Sequence, residues 1–236
     1  MHHWERKVSD FEERGGMVGL QTSQSAPLCS PLPLARGRPL RGDSTRRFAP
    51  PEGVQFCPRR SDHAAGLFAL FNERQFLERA STRGPLADEH EVNRWLDGII
   101  VARKFEIVAV SNSNLIAFGG LYVLGDLFDH CGTLMLGVRE KAQGRGVGST
   151  LLGMLLTAAR LHANLRRVQL TVFAGNAPAI RLYRRFGFEF EGLHRCFSRR
   201  GTDYVDAFSM AVILDEERRP AGEAFGGEDA SDTKAV

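Results

Sequence analysis

The chain has 236 residues, a formal net charge of +3 and 43% apolar residues, which suits one domain of ordinary size plus tails. So small a positive balance gives no argument for nucleic-acid binding, no apolar run approaches the roughly 20 residues of a membrane-spanning helix, and residues 1–20 are too polar for a signal peptide; the expected location is cytoplasmic. Cys29, Cys57, Cys131 and Cys196 form no C-x-x-C pair, which points to reduced thiols, not to a zinc site or a disulfide framework.

Residues 1–51 do not read as folded. Pro27, Pro31, Pro33, Pro39, Pro50 and Pro51 interrupt any periodicity, and Arg36, Arg38, Arg41, Arg46 and Arg47 face only Asp43. Few apolar groups among so many prolines and charges cannot offset chain entropy. Three explanations compete: a disordered basic arm, an organelle-targeting extension, or an upstream start codon that is not the real one. Glu5, Asp10, Glu12 and Glu13 count against a transit peptide, which is poor in acids. The expectation is a disordered arm with no catalytic part; its arginines leave DNA binding as a separate function to test.

The folded domain is expected over residues 52–214. Residues 54–57 alternate as a short strand ended by Pro58. Ser61 reads as an N-cap, with Asp62 in the first turn of a helix carrying Ala65, Phe68, Ala69 and Phe71. After a break at 81–85, residues 88–100 place Val92, Trp95, Leu96 and Ile99 on one helical face. Phe68, Phe71, Phe76 and Trp95 are expected in the core, with an acceptor groove as the minority reading. Residues 105–110 and 115–123 are strands joined by a turn at 111–114, and Gly119-Gly120 marks a bulge or a close approach. An acidic loop with His130 leads to a strand over 133–138, with Leu134, Leu136 and Val138 on one face.

Residues 147–163 form the longest helix, apolar over so wide a surface that burial against a sheet is expected. A strand over 167–173 follows. Asn176 caps the next helix, Pro178 is tolerated in its first turn, and Gly187 stops it. Strands over 188–192 and 204–214 complete a β-α-α-β-β-β-α-β-α-β-β order, a mixed α/β sheet flanked by helices. Residues 215–236 are acidic and Gly-rich and read as a disordered tail.

Between the 133–138 strand and the long helix lie Gln143, Gly144, Arg145, Gly146, Val147, Gly148 and Ser149. Three glycines in five positions mark a tight turn. It feeds a helix N-terminus, where free N–H groups and the positive end of the dipole bind phosphates; Arg145 adds charge from the flank. A pyrophosphate-holding turn is one reading, and a plain sharp corner is the other. No G-K-[ST] closes it as in a Walker loop, and no carboxylate ends the 167–173 strand as in a dinucleotide fold.

Three stretches in this order, 134–148, L-T-V-F-A-G-N at 170–176 and A-I-R-L-Y-R-R-F-G-F at 179–188, resemble the GCN5-related N-acetyltransferase (GNAT) family over about residues 54–214. Q-G-R-G-V-G is similar to the family's acyl-CoA pyrophosphate loop, and N-x-x-A-I-x-x-Y-x-x-x-G-F to its second signature. Glu191, Gly192, Arg195, Gly201, Tyr204, Val205, Asp206, Ala207 and Met210 resemble the branch that includes amino-acid and ribosomal-protein N-acetyltransferases. The resemblance implies the acyl-CoA N-acyltransferase fold, with acetyl-CoA as co-substrate, a primary amine as acceptor, direct attack and no metal.

Such a reaction must hold CoA, stabilise an oxyanion and protonate a thiolate. The resemblance implies that residues 143–149 hold the pyrophosphate and that the pantetheine arm pairs along Leu136, Gly137 and Val138. It also implies that the N–H of Val138 or Gly137 donates to the thioester oxygen; ordinary ladder pairing is the alternative. Asn176 and Tyr183 stand two helical turns apart on one face. A phenol of pKa about 10 can give up a proton as a thiolate forms. The resemblance puts Tyr183 beside the CoA sulfur as general acid and Asn176 near the pantetheine. Packing against Phe186 and a plain cap role are the structural alternatives.

Many relatives use as base a carboxylate on the strand before the turn, or a water relay. That strand here offers Thr133 and Met135, so the candidates are His130, Asp126, Asp129 and Asp206. Glu140 is expected to face solvent, and His63, His90, His162 and His194 carry no constellation. Cys131 and Cys196 have no basic partner that would make either a nucleophile. Arg195, Arg199 and Arg200 would pair the carboxylate of a free amino acid; Asp203, Asp206 and the acidic loop would draw a cationic amine or a peptide N-terminus. A small amine or amino acid is favoured. Protein or peptide N-terminal acetylation and a non-catalytic acyl-CoA sensor are the rival functions, and a homodimer stays open.

Overall fold

A computed structural model describes residues 50–214 apart from Thr82 and His162; the expected tail, and the expected arm except Pro50 and Pro51, lie outside the described residues. Seven strands, β1 (Gln55–Pro58), β2 (Arg103–Ser111), β3 (Asn114–Val123), β4 (Cys131–Val138), β5 (Arg167–Phe173), β6 (Glu189–Arg200) and β7 (Asp203–Ile213), form one sheet in the order β1-β2-β3-β4-β5-β7-β6. All neighbours are antiparallel except β4 and β5. Helices α1 (Ala64–Phe71), α2 (Arg74–Arg79) and α3 (Glu89–Asp97) precede β2, α4 (Val147–Leu161) joins β4 to β5, and α5 (Ala177–Arg185) follows β5.

Two apolar clusters hold the sheet between its helices. On one face α4 buries Leu151, Leu152, Leu155, Leu156 and Ala159 against Ala117, Leu121 and Leu134. On the other, α1 and α3 bury Leu67, Leu70, Val92 and Leu96 against Val108 and Phe118. Each fully buried side chain of this size contributes about 1.5–3 kcal/mol before entropy is counted. Gly119 sets the first contact: a Cβ there would stand 2.7 Å from Leu155 Cδ1. The glycine pair is thus a close approach and not a bulge; the irregularity falls earlier in β3, at Ile116, which has no partner between the pairs Ala109–Ala117 and Val110–Leu115.

Local signals placed most elements. Asp88 caps α3 by accepting the Glu91 N–H at 2.7 Å, Asn112 and Ser113 take the left-handed values of a tight hairpin, and Gly187 ends α5 at φ 84°. Ser61 is not a cap: it opens a short 3-10 turn, and His63 Nδ1 accepts the Arg60 N–H at 3.0 Å. The helix α2 was not expected, because its six residues bury none of their number and so show no apolar period. β6 runs on through Arg200 past a register shift between His194 and Ser198; this bulge interrupts the alternation by which a strand is read. Cys57 is disulfide-bonded, against the expectation of reduced thiols, while Cys131 and Cys196 are free. Spacing along a chain does not report proximity in space. Among the described residues no helix is long and apolar enough to cross a membrane.

Candidate active site

β4 and β5 pair only where Cys131, Gly132 and Thr133 meet Arg167, Val168 and Gln169. Beyond this the two strands part, β4 staying paired with β3 to Val138 and β5 with β7 to Phe173. A cleft of about 1100 Å³ runs through the opening. Backbone alternation decides which groups face it. The Arg139 N–H donates to the carbonyl of Ile116 in β3 at 2.9 Å, and the His130 carbonyl accepts from Arg166 and Arg167 on the β5 side at 3.0 and 3.1 Å. Successive residues of a strand aim their backbone groups at opposite edges, so Leu136 and Val138 present theirs to the cleft and Gly137 to β3. Of the two expected thioester-oxygen donors, Val138 is the one on the open edge. Gly137 acts on the other face: a Cβ there would lie 2.6 Å from Phe76 Cε2, so the bare position lets Phe76 close on the strand.

At one end of the cleft is the glycine turn. Gly144 and Gly146 have φ 73° and 85°, which side chains rarely tolerate. The first bond into α4 runs from the Thr150 N–H to the Gly146 carbonyl at 3.0 Å, so the N–H groups of Val147, Gly148 and Ser149 have no partner within the helix. Gln143, Gly144, Gly146, Gly148 and Ser149 line the cleft. Gln143 Nε2 donates to the Val138 carbonyl at 3.0 Å and to Gln75 Oε1 at 2.7 Å, pinning the turn to β4 and α2. Arg145 is exposed and Val147 buries its side chain in the core; neither lines the cleft. From α5 the cations Arg181, Arg184 and Arg185 face the cleft, with Arg185 3.4 Å from Ser149 Oγ, and Arg79 and Arg83 line it as well. The helical spacing of the α5 arginines after Asn176 is the signal by which the sequence would have offered them.

Tyr183 points from α5 into the cleft, 7% exposed, its ring 5.6 Å from Phe188. Burial pushes its phenol well above the ordinary value, so the hydroxyl stays protonated across the neutral range. Asn176 accepts the Ala179 N–H at 3.3 Å and donates from Nδ2 to the Arg79 carbonyl at 3.1 Å. It caps α5 and also ties the end of α2 across the cleft. Phe76, Trp95, Tyr122, Thr133 and Met135 line the opposite wall. Phe71 is core, as expected, whereas Phe76 and Trp95 also face the cleft.

The expected base candidates lie elsewhere. His130, Asp126 and Asp129 are exposed before β4, at the end where β4 and β5 are zipped. Asp206 is engaged in the β6 bulge, its Oδ1 accepting the Cys196 N–H at 2.8 Å. Arg195 and Arg199 are exposed on the edge strand. Arg200 crosses to the Ser81 carbonyl at 2.7 Å, with its guanidinium 4.8 Å from the centre of the Phe173 ring. None of these seven lines the cleft. Tyr122, which no motif marks, does so and donates its hydroxyl to Glu106 Oε1 at 2.9 Å.

A mixed sheet parted between its parallel strands, with a bare helix N-terminus at the parting, is a known scaffold. Residues 66–188 match the model of the acetyltransferase (GNAT) family, and the chain belongs to that family. It is 38% identical over 76 residues to the L-amino acid N-acetyltransferase AaaT of Escherichia coli (strain K12), covering 32% of this chain and 47% of that protein. It is 40% identical over 55 residues to a spermine/spermidine N(1)-acetyltransferase of Bacillus subtilis (strain 168), covering 23% and 36%. The chain thus spans less than half the length of either relative. Among solved structures, ribosomal-protein-alanine N-acetyltransferase from Brucella melitensis superposes with a TM-score of 0.59 at 25% identity, covering 67% of this chain and 99% of that one. The fold is shared with yncA of Salmonella typhimurium, solved with its cofactor acetyl-CoA, at a TM-score of 0.63 and 19% identity, covering 71% and 97%.

Proposed function

We propose that this chain moves the acetyl group of acetyl-CoA to the amine of a small acceptor, an amino acid and not a polyamine, with residues 52–214 as the catalytic unit. The observation that carries the reading is the unpaired edge of β4 leading to three N–H groups, of Val147, Gly148 and Ser149, that the helix leaves free. These groups and Arg185 hold the pyrophosphate. The edge at Leu136 and Val138 takes the pantetheine arm as a further strand, and the Val138 N–H donates to the thioester oxygen, where negative charge develops during attack. Tyr183 gives a proton to the departing sulfur. Gly144 and Gly146 let the turn bend, Gln143 fixes it to β4, and Asn176 sets α5 against the arm. No metal is required by these roles.

Charge selects the acceptor. The cleft is lined by Arg79, Arg83, Arg181, Arg184 and Arg185 and, among the described residues, by no aspartate or glutamate. A polyamine would bring several like charges into this field. An amino acid brings a carboxylate that a guanidinium binds through two hydrogen bonds. Arg83, which pairs with Glu91 at 2.7 Å and lies 4.8 Å from the Trp95 ring centre, stands on the acceptor wall and takes the part expected of Arg195, Arg199 and Arg200. Release of CoA thiol on a panel of amino acids, polyamines and peptides tests both levels. Amino acids should exceed spermidine in kcat/KM by about tenfold, roughly 1.4 kcal/mol of discrimination. Preference for spermidine would overturn the acceptor assignment. Binding of acetyl-CoA without thiol release for any amine would leave an acyl-CoA sensor instead.

A further inference from the structure

An acceptor amine is protonated near neutral pH and attacks only after it loses that proton. On the acceptor wall β4 offers Thr133 and Met135, neither of which takes protons at neutral pH. The next strand does better. Tyr122 of β3 is the register partner of Thr133, lines the cleft and donates its hydroxyl to Glu106 Oε1 at 2.9 Å. The other carboxylate oxygen accepts from Arg59 Nε at 2.6 Å. Arg59 also donates to Asn93 at 3.2 Å and pairs with Asp97, so the carboxylate is held from α3 as well as from the sheet. The tyrosine's pose is built into the strand. Gly120 lies directly opposite Glu106, and a Cβ on Gly120 would stand 2.6 Å from both Cε2 and the hydroxyl oxygen of Tyr122. The ring therefore lies back over a bare position toward the carboxylate.

We propose that Tyr122 accepts a proton from the acceptor ammonium while passing its own hydroxyl proton to Glu106. The proposal rests on the acetyl-transfer reading above. An N–H bond of the ammonium breaks and its proton joins Tyr122 Oη. The phenolic O–H bond breaks and its proton joins Glu106 Oε1. Tyr122 is neutral before and after, the amine becomes neutral, and the carboxylate becomes a carboxylic acid. Arg59 stays charged and keeps Glu106 aimed. The charged groups around the relay are Glu106 and Lys104 of β2, Arg59 after β1, and Asp97 of α3 through Arg59; Lys104 Nζ is committed to the Leu96 carbonyl at 3.1 Å. Burial and the Glu106 charge push the Tyr122 phenol far up. A lone phenolate base is therefore excluded at neutral pH, and a concerted hand-over never forms one.

The test is Tyr122→Phe, which removes one oxygen and no packing, with Glu106→Gln as second variant. The acceptor that the wild type uses best is followed from pH 6 to pH 9.5 at saturating acetyl-CoA. At pH 7 Tyr122→Phe should lower the acceptor kcat/KM by about 100-fold, with the Kd for acetyl-CoA unchanged by calorimetry. The deficit should shrink about tenfold per pH unit, as the free amine the variant depends on accumulates. Glu106→Gln, which acts through Tyr122, should show the same converging profile whatever its melting temperature. Profiles parallel to wild type, or an unchanged kcat/KM, would overturn the relay while acetyl transfer stands. A wild type that releases no CoA thiol with any amine would take the relay down with the function.

Discussion

Asn176 Nδ2 donates to the carbonyl of Arg79, 97 residues earlier, at 3.1 Å, while the same side chain's oxygen caps the helix that carries Tyr183. One amide thus sets the distance between α2 on one wall of the cleft and α5 on the other. Removing it should loosen both. Asn176→Ala is expected to cost about 1 kcal/mol through the cap, or roughly 2–4 °C in melting temperature for a domain of this size. It should also raise the acceptor KM. Asn176→Asp keeps the cap oxygen and loses the donor, so it should recover the melting temperature but not the KM. Calorimetric melting and steady-state kinetics on the two variants separate these effects.

The glycine turn can be probed by charge. In Gly146→Asp a carboxylate faces the place proposed for the pyrophosphate, while the same charge near a helix N-terminus favours the fold by about 0.3–1 kcal/mol. That gain offsets part of the strain of a side chain at φ 85°. Calorimetric titration with acetyl-CoA should find binding lost, with the melting temperature lowered by only a few degrees. Retained affinity would remove the turn from the proposed site.

Tyr183→Phe should lower kcat by about 100-fold, with the acetyl-CoA Kd within roughly twofold of wild type. The sign of the pH effect follows from burial. A phenol raised above its ordinary value is fully protonated below it, so Tyr183 stays in its acid form and contributes no falling limb below about pH 10. A pH–rate profile with a falling limb in that range that disappears in Tyr183→Phe would contradict this arrangement.

Arg59 carries a stability prediction. Its side chain and that of Glu106 are each 7% exposed, and its other bonds reach Asn93 and Asp97 on α3. Arg59→Met leaves the Glu106 charge buried without its partner, which costs about 3–5 kcal/mol. Urea unfolding should show the midpoint falling accordingly. A loss below about 1 kcal/mol, the range of exposed ion pairs, would mean that solvent reaches the pair.

What the amino-acid sequence determined by itself is what neighbours along the chain decide. The wide apolar face of α4, the turn at Gly144 and Gly146, the Asn176 cap and the Gly187 stop are each written within a few residues, because backbone dihedrals and helix ends answer to local chemistry. The α/β order and the family resemblance followed from them. The tertiary structure alone decided the parting of β4 from β5 after Thr133, which leaves the Val138 N–H, and not that of Gly137, on the open edge. It alone also moved the expected acids and the β6 arginines off the cleft, brought in the arginines of α5, and set Tyr122 on Glu106 and Glu106 on Arg59. Those choices depend on strand register and on side chains 16 and 47 residues apart, and register is settled only when the strands pair.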